Sequence, residues 1–297
     1  MKKNIAFIIL LFYFAPAIQA QEAEEQGPWA PLHLFIKNYY SKPDFVNNNT
    51  YLEFSGGLST INANKVDIGD NFQPTYLAEF RYGFIRYNEE LPVRGIFSHA
   101  KDYAFISTIS STFKVLDIQP TGLVTDNWRF GLGIENGYGY YGPFGNPFIL
   151  LKHNGSITWT HIDFYDFGSS GNNQNYMQRF DNKFRFGGTW SGGVDVHITK
   201  NILLSADYET SIIYPNFKPL QWTGMFIFDN ATQRWIDYFE PQALRMFGKT
   251  WPVVKFAYKN FISYVVYNMR KNAGYWPFES DRPISFLIYR AGITLSL

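Results

Sequence analysis

The chain has 297 residues, of which 46% are hydrophobic, 20% aromatic and only 17% charged, with no cysteine and a formal net charge of +1. That much apolar area excludes a disordered chain, and the missing cysteine excludes disulfide frameworks, thiolate metal sites and cysteine nucleophiles. The near-neutral balance leaves no electrostatic footprint for nucleic acid.

The first residues, MKKNIAFIILLFYFAPAIQA, set Lys2 and Lys3 before an apolar run from Ile5 to Phe14, and Ala17 to Ala20 supply a cleavage site. The apolar run is about half the ~20 residues that span a bilayer, so a cleaved signal peptide over residues 1–20 is expected, followed by a single domain over 21–297. Loss of Lys2 and Lys3 takes the 26 basic residues to 24 against 25 acidic ones. The segment from Trp29 to Tyr40 fits a helix through Trp29, Leu32, Ile36 and Tyr39, and equally a strand through Leu32, Leu34 and Ile36.

No run of 18 apolar residues follows; short alternating segments take its place. Tyr51 to Leu58 is a first candidate strand. In Tyr76 to Ile85, Tyr76, Ala78, Phe80, Tyr82 and Phe84 oppose Glu79, Arg81 and Gly83. Tyr103 to Val115 is weaker. In Asn127 to Glu135, Trp128, Phe130, Leu132 and Ile134 oppose Arg129, Gly131, Gly133 and Glu135, and Ser156 to Phe164 follows. Lys183 to Ile198 sets Phe184, Phe186, Trp190, Val194 and Val196 against Arg185, Gly187, Gly193, Asp195 and His197. After Thr199, Lys200 and Asn201 the pattern resumes over Ile202 to Tyr214, which predicts a hairpin with a tight turn. The chain ends on a last alternating strand, Ile284 to Leu297.

Strands of this kind suit a soluble sandwich, with the apolar face on a second sheet, or a membrane barrel, with the apolar face in lipid. The length of the longest ones, glycines on the polar phase and aromatics near segment ends favour the barrel. On the terminal YRAGITLSL, an alternating strand with an apolar last residue, the chain resembles small bacterial outer-membrane β-barrel proteins such as the outer membrane protein A barrel; where that class most often closes on Phe, this chain has Leu297. The resemblance implies location in the cell outer membrane, with outer-membrane lipid and the barrel-assembly machinery as partners. The expected fold is all-β: a closed antiparallel transmembrane barrel of eight strands, with ten or twelve as alternatives, and a helical insertion at about 240–273 before the last strand. Within the insertion Pro241 to Phe247 and Pro252 to Asn272 look helical, ended by Gly248 and Gly274. The longer helix, with Lys255, Lys259, Arg270 and Lys271, suits a cover over a barrel mouth or a membrane-surface helix that gathers anionic headgroups; Gly224 to Phe228 and Arg234 to Phe239 otherwise read as a further hairpin.

No phosphate loop, zinc-binding helix or nucleophile elbow is present, and no cofactor or metal is expected. The histidines, His33, His99, His153, His161 and His197, are scattered. His153, Ser156, His161 and Asp163 are the nearest approach to a hydrolytic grouping, and would serve an outer-membrane lipid-modifying enzyme, an acyl hydrolase or acyltransferase. More telling is the polar phase: Glu53, Glu79, Glu135, Asp195, Asp207 and Glu209 against Arg81, Arg129, Lys183, Arg185 and Arg290. Mixed charges in a narrow barrel should pair across strands, because an unpaired ion there is costly. The expectation is a narrow, charge-paired lumen with a structural or interaction role, or with limited passage of small solutes.

Overall fold

A computed structural model describes residues 47–63, 72–88, 93–111, 123–142, 147–165, 175–278 and 280–297. The signal peptide and the segment from Trp29 to Tyr40 lie outside the described residues. Eight antiparallel strands close into a barrel in sequence order: β1 (Asn47–Asn62), β2 (Thr75–Asn88), β3 (Ile96–Ser110), β4 (Val124–Tyr141), β5 (Pro147–Tyr165), β6 (Lys183–His197), β7 (Ile202–Ile213) and β8 (Ile284–Ser296). Closure pairs β1 with β8, from Tyr51 opposite Ser296 to Asn62 opposite Ser285. Every strand has both neighbours, so no edge is left unpaired. β3 starts at Ile96 and β5 at Pro147, well before the expected Tyr103 and Ser156, because their early residues put like side chains on both phases: polar ones at Ser98, His99, Lys101 and Asp102 in β3, apolar ones from Phe148 to Leu151 in β5.

The pleat sorts the residues. On one phase Phe54, Leu58, Phe84, Ile106, Leu132, Ile134 and Ile293 point outward and stay exposed, Leu132 by 62%. On the other phase Glu53, Glu79, Arg81, Lys101, Arg129, Glu135, Lys152, Asp195, Asp207, Glu209 and Arg290 are all buried. The molecule is apolar outside and charged inside.

Between β7 and β8 the chain forms α1 (Pro219–Tyr238), α2 (Glu240–Phe247), a 3-10 turn (Gly248–Thr250) and α3 (Trp251–Ala273). The insertion therefore begins about twenty residues earlier than expected, and the segment read as a further hairpin is the helix α1. Pro219, Pro241 and Pro252 sit in first turns, and Gly248 and Gly274 end α2 and α3 with φ of 55° and 68°. The helices do not cover a mouth: they lie along the outer wall. Asn260 of α3 packs where a side chain on outward Gly192 of β6 would stand. Arg270 stacks 5.1 Å over outward Trp190, the Tyr267 hydroxyl lies 3.3 Å from Ser285 Oγ at the start of β8, and the Tyr140 hydroxyl at the end of β4 donates to the Lys249 carbonyl at 2.8 Å. These contacts take α3 from one end of the barrel wall to the other, and Ile236 of α1 meets Trp251 and Ile96 at the end that carries the short β6–β7 turn. No described helix is long and apolar enough to cross a membrane by itself.

Candidate functional site

The barrel interior is built in layers. At the end where β1–β2, β3–β4 and β5–β6 connect, Ile61, Leu77, Ile109, Ile162, Ile213, Phe286 and Ile288 meet Met177 and Phe180 from the connection after β5. The Tyr176 hydroxyl ties this connection to the residue before β8 by donating to the Pro283 carbonyl at 3.0 Å, and burial pushes its pKa well above the usual phenol value. At the opposite end Phe97, Leu150 and Leu203 pack together with Tyr87 and Tyr141.

Two ionic clusters lie between these apolar layers. In the first, the Arg290 guanidinium from β8 reaches Glu79 of β2 at 2.7 Å, Glu209 of β7 at 2.7 Å and Asp207 at 3.1 Å. Arg129 of β4 spans the lumen to the same carboxylates, Glu209 at 2.7 Å and Glu79 at 3.1 Å, and donates to Ser107 Oγ at 2.7 Å. Arg81 pairs with Glu79 at 2.8 Å, lies 3.7 Å from Glu53, and stacks 4.5 Å over the Tyr103 ring. In the second cluster Lys101 of β3 holds Glu135 at 2.9 Å and Asp195 of β6 at 2.8 Å. Lys152 of β5 holds Asp195 at 2.5 Å and Asp207 at 3.0 Å, so that Asp207 joins the clusters. His99 approaches Glu135 to 3.5 Å. Five of these pairs, Arg290–Glu79, Arg129–Glu209, Arg129–Glu79, Lys101–Asp195 and Lys152–Asp207, join strands that are not neighbours in the sheet, as contacts across a lumen must.

Of the residues expected here, Glu53, Glu79, Arg81, Arg129, Glu135, Asp195, Asp207, Glu209 and Arg290 come together. Arg185 and Lys183 do not. They sit at the rim, where Arg185 donates to the Arg179 carbonyl and Lys183 to the Gln178 carbonyl at 3.1 Å. Lys101 and Lys152 take their places among the cations. Both were legible by extending the strand phase backwards, from Tyr103 through Lys101 to His99 and Phe97, and from Ser156 through Asn154 to Lys152.

The hydrolytic grouping is not assembled. Ser156 points inward and shares a 2.5 Å hydrogen bond with Thr189, whereas His153 and His161 point outward, eight residues or roughly 26 Å apart along β5. His161 lies 3.3 Å from Asp163 against Trp128 and Phe184. His153 is roofed by α3 and lines, with Tyr138, Leu151, Phe256 and Lys259, a cavity of about 20 Å³, room for a single water. Among the described residues no group of three or more His, Asp or Glu could hold a metal ion.

No protein-family model and no curated protein matches the chain. Among solved structures it is similar to Neisserial surface protein A, with a TM-score of 0.42 at 8% identity over 84% of this chain and 99% of that one. It is also similar to the attachment invasion locus protein of Yersinia pestis, with a TM-score of 0.34 at 9% identity over 84% and 100%, and to the outer membrane protein OprG of Pseudomonas aeruginosa, with 0.26 at 10% over 84% and 96%.

Proposed function

We propose that this chain is a non-conducting outer-membrane β-barrel, exported by its signal peptide and seated by the barrel-assembly machinery, whose role is structural or one of surface interaction. The observation that carries the reading is the inverted polarity of the wall: Phe54, Leu58, Ile106, Leu132 and Ile293 are about half exposed or more while eleven charged side chains are buried inside. In water this arrangement would leave the apolar belt hydrated at roughly 25 cal/mol per Å²; in lipid it removes that cost. Strands of 12 to 19 residues exceed the 9–11 a membrane crossing needs, leaving both ends to project into water.

The layered interior argues against solute passage. A small molecule would have to part the aliphatic layer of Ile61, Ile213 and Phe286, then two ionic clusters, then Phe97 and Leu150. Unboiled protein should therefore migrate anomalously on a denaturing gel and shift on heating, as a folded membrane barrel does, while planar bilayers containing it show no steady conductance. A stable open level in those recordings would overturn the closed lumen, and extraction without detergent would overturn the membrane location.

A further inference from the structure

Resting on that membrane reading, we propose that the hairpin of α1 and α3 is immersed in the hydrocarbon layer beside the barrel, its outer face solvated by acyl chains. Its polarity is the reverse of a water-facing helix. On α3, Val253, Val254, Ala257, Phe261 and Tyr264 are exposed, whereas Lys259, Ser263 and Arg270 are buried and Lys255 nearly so. On α1, Leu220, Phe226 and Ile227 are exposed while Thr232 is buried.

The buried charges are paired inside the hairpin. Lys255 bonds Asp237 at 2.7 Å and Glu240 at 2.6 Å, Lys259 bonds Asp237 at 2.8 Å, and Arg270 makes a two-pronged contact with Asp229 at 2.6 and 2.7 Å. Amides and hydroxyls that would otherwise meet hydrocarbon turn back onto their own helix: Asn268 donates to the Tyr264 carbonyl, Asn272 to Asn268 and Thr223 to Pro219. Both habits are what a non-aqueous solvent demands, since there an unsatisfied polar group costs several kcal/mol.

Geometry agrees. With 20 and 23 residues, α1 and α3 are about 30 and 35 Å long, the thickness of a bilayer core. Trp222 and Trp276 stand at the root of the hairpin, and Trp235 and Tyr238 at its tip, all at least partly exposed, where interfacial aromatics belong. The exposed apolar face continues the belt that Leu132 and Ile134 present on β4, against which α3 packs.

The chain contains no cysteine, so single labels are specific. Val254→Cys, Phe261→Cys and Ile227→Cys would each carry a nitroxide in the full chain, reconstituted in phosphatidylcholine vesicles. Accessibility to oxygen and to a water-soluble nickel chelate is then read, with Leu132→Cys on the barrel belt and Lys200→Cys in the β6–β7 turn as references. An oxygen-to-nickel ratio within about twofold of that at Leu132→Cys is expected at all three positions. Values matching Lys200→Cys, with Leu132→Cys oxygen-rich, would overturn the immersion and leave the barrel reading standing. Exclusion of both reagents would overturn it in favour of a second protein copy on this face. A nickel-accessible Leu132→Cys would bring down the membrane reading and the immersion together.

Discussion

Arg290 holds three lumen carboxylates, with Glu79, Glu209 and Asp207 all within 3.1 Å of a side chain that is 4% exposed. Removing one partner of a buried ionic cluster leaves the others charged and unsolvated, which costs about 3–5 kcal/mol. Arg290→Ala should therefore lower the barrel's stability by that order, measured as a drop in the temperature at which the compact gel form is lost. Arg185→Ala, at the open rim, should leave that temperature within error. Arg290 stands on the polar phase of the sequence because β8 alternates without interruption. Arg185 shares that phase yet sits at the rim, because phase alone says which side a residue faces and nothing about its height in the barrel. Lys101 and Lys152 went unnoticed for a related reason: beside them Asp102, His153 and Asn136 stand at outward positions that an apolar belt would normally fill, so the alternation fades.

At the scale of elements, β3 and β4 form a ladder in which large inward side chains of one strand face glycines of the other. Phe105 opposes Gly131, Tyr103 opposes Gly133, His99 opposes Gly137 and Phe97 opposes Gly139, with the Lys101–Glu135 ion pair between them. A side chain at Gly133 would overlap the Tyr103 ring, which in turn carries the Arg81 guanidinium. Gly133→Val should thus destabilise the barrel by about 1–3 kcal/mol, and Tyr103→Leu in the same chain should recover part of the loss. A double mutant no more stable than Gly133→Val alone would show that the glycine serves the backbone and not the ring. The glycines were visible in the sequence as members of the polar phase; their opposition to aromatics was not, because register depends on pairing between strands. The helices show the opposite limit. Pro and Gly marked α2 and α3 well, yet α1, with Gly224 and the aromatics of Trp222 to Phe228 inside it, reads locally as a hairpin and is made helical by packing on α3 and the wall.

For the whole molecule, the closed sheet owes none of its backbone pairing to the helical hairpin, since every strand is bonded to its two neighbours. The hairpin lies close on the wall at Gly192, whose added Cβ would collide with the Asn260 amide. Gly192→Val should lift α3 from the wall while leaving the barrel intact: proteolysis within 215–283 should quicken several-fold, and heat-modifiable mobility should persist. Loss of both together would mean that hairpin and barrel form one cooperative unit. The insertion's existence was legible from its length and its punctuation, but its seat on the outer wall was not, because its charges pair with one another and so gave it the look of a cationic surface helix.

The position of Arg290 on the final strand has a consequence for how the molecule comes into being. Until β8 arrives, across a sequence separation of 241 residues measured from Glu53 to Thr294, the unfinished sheet carries six carboxylates and only four cations of the lumen clusters. Such an open trough keeps its water, since two carboxylates in excess of the cations, with Arg290 absent from Glu79, Glu209 and Asp207, are costly to dry. Zipping the last strand against the first delivers the fifth cation at the moment the wall shuts, which halves the excess of carboxylates from two to one, so closure, dehydration and the last of the interior's charge pairing fall into a single late step of assembly.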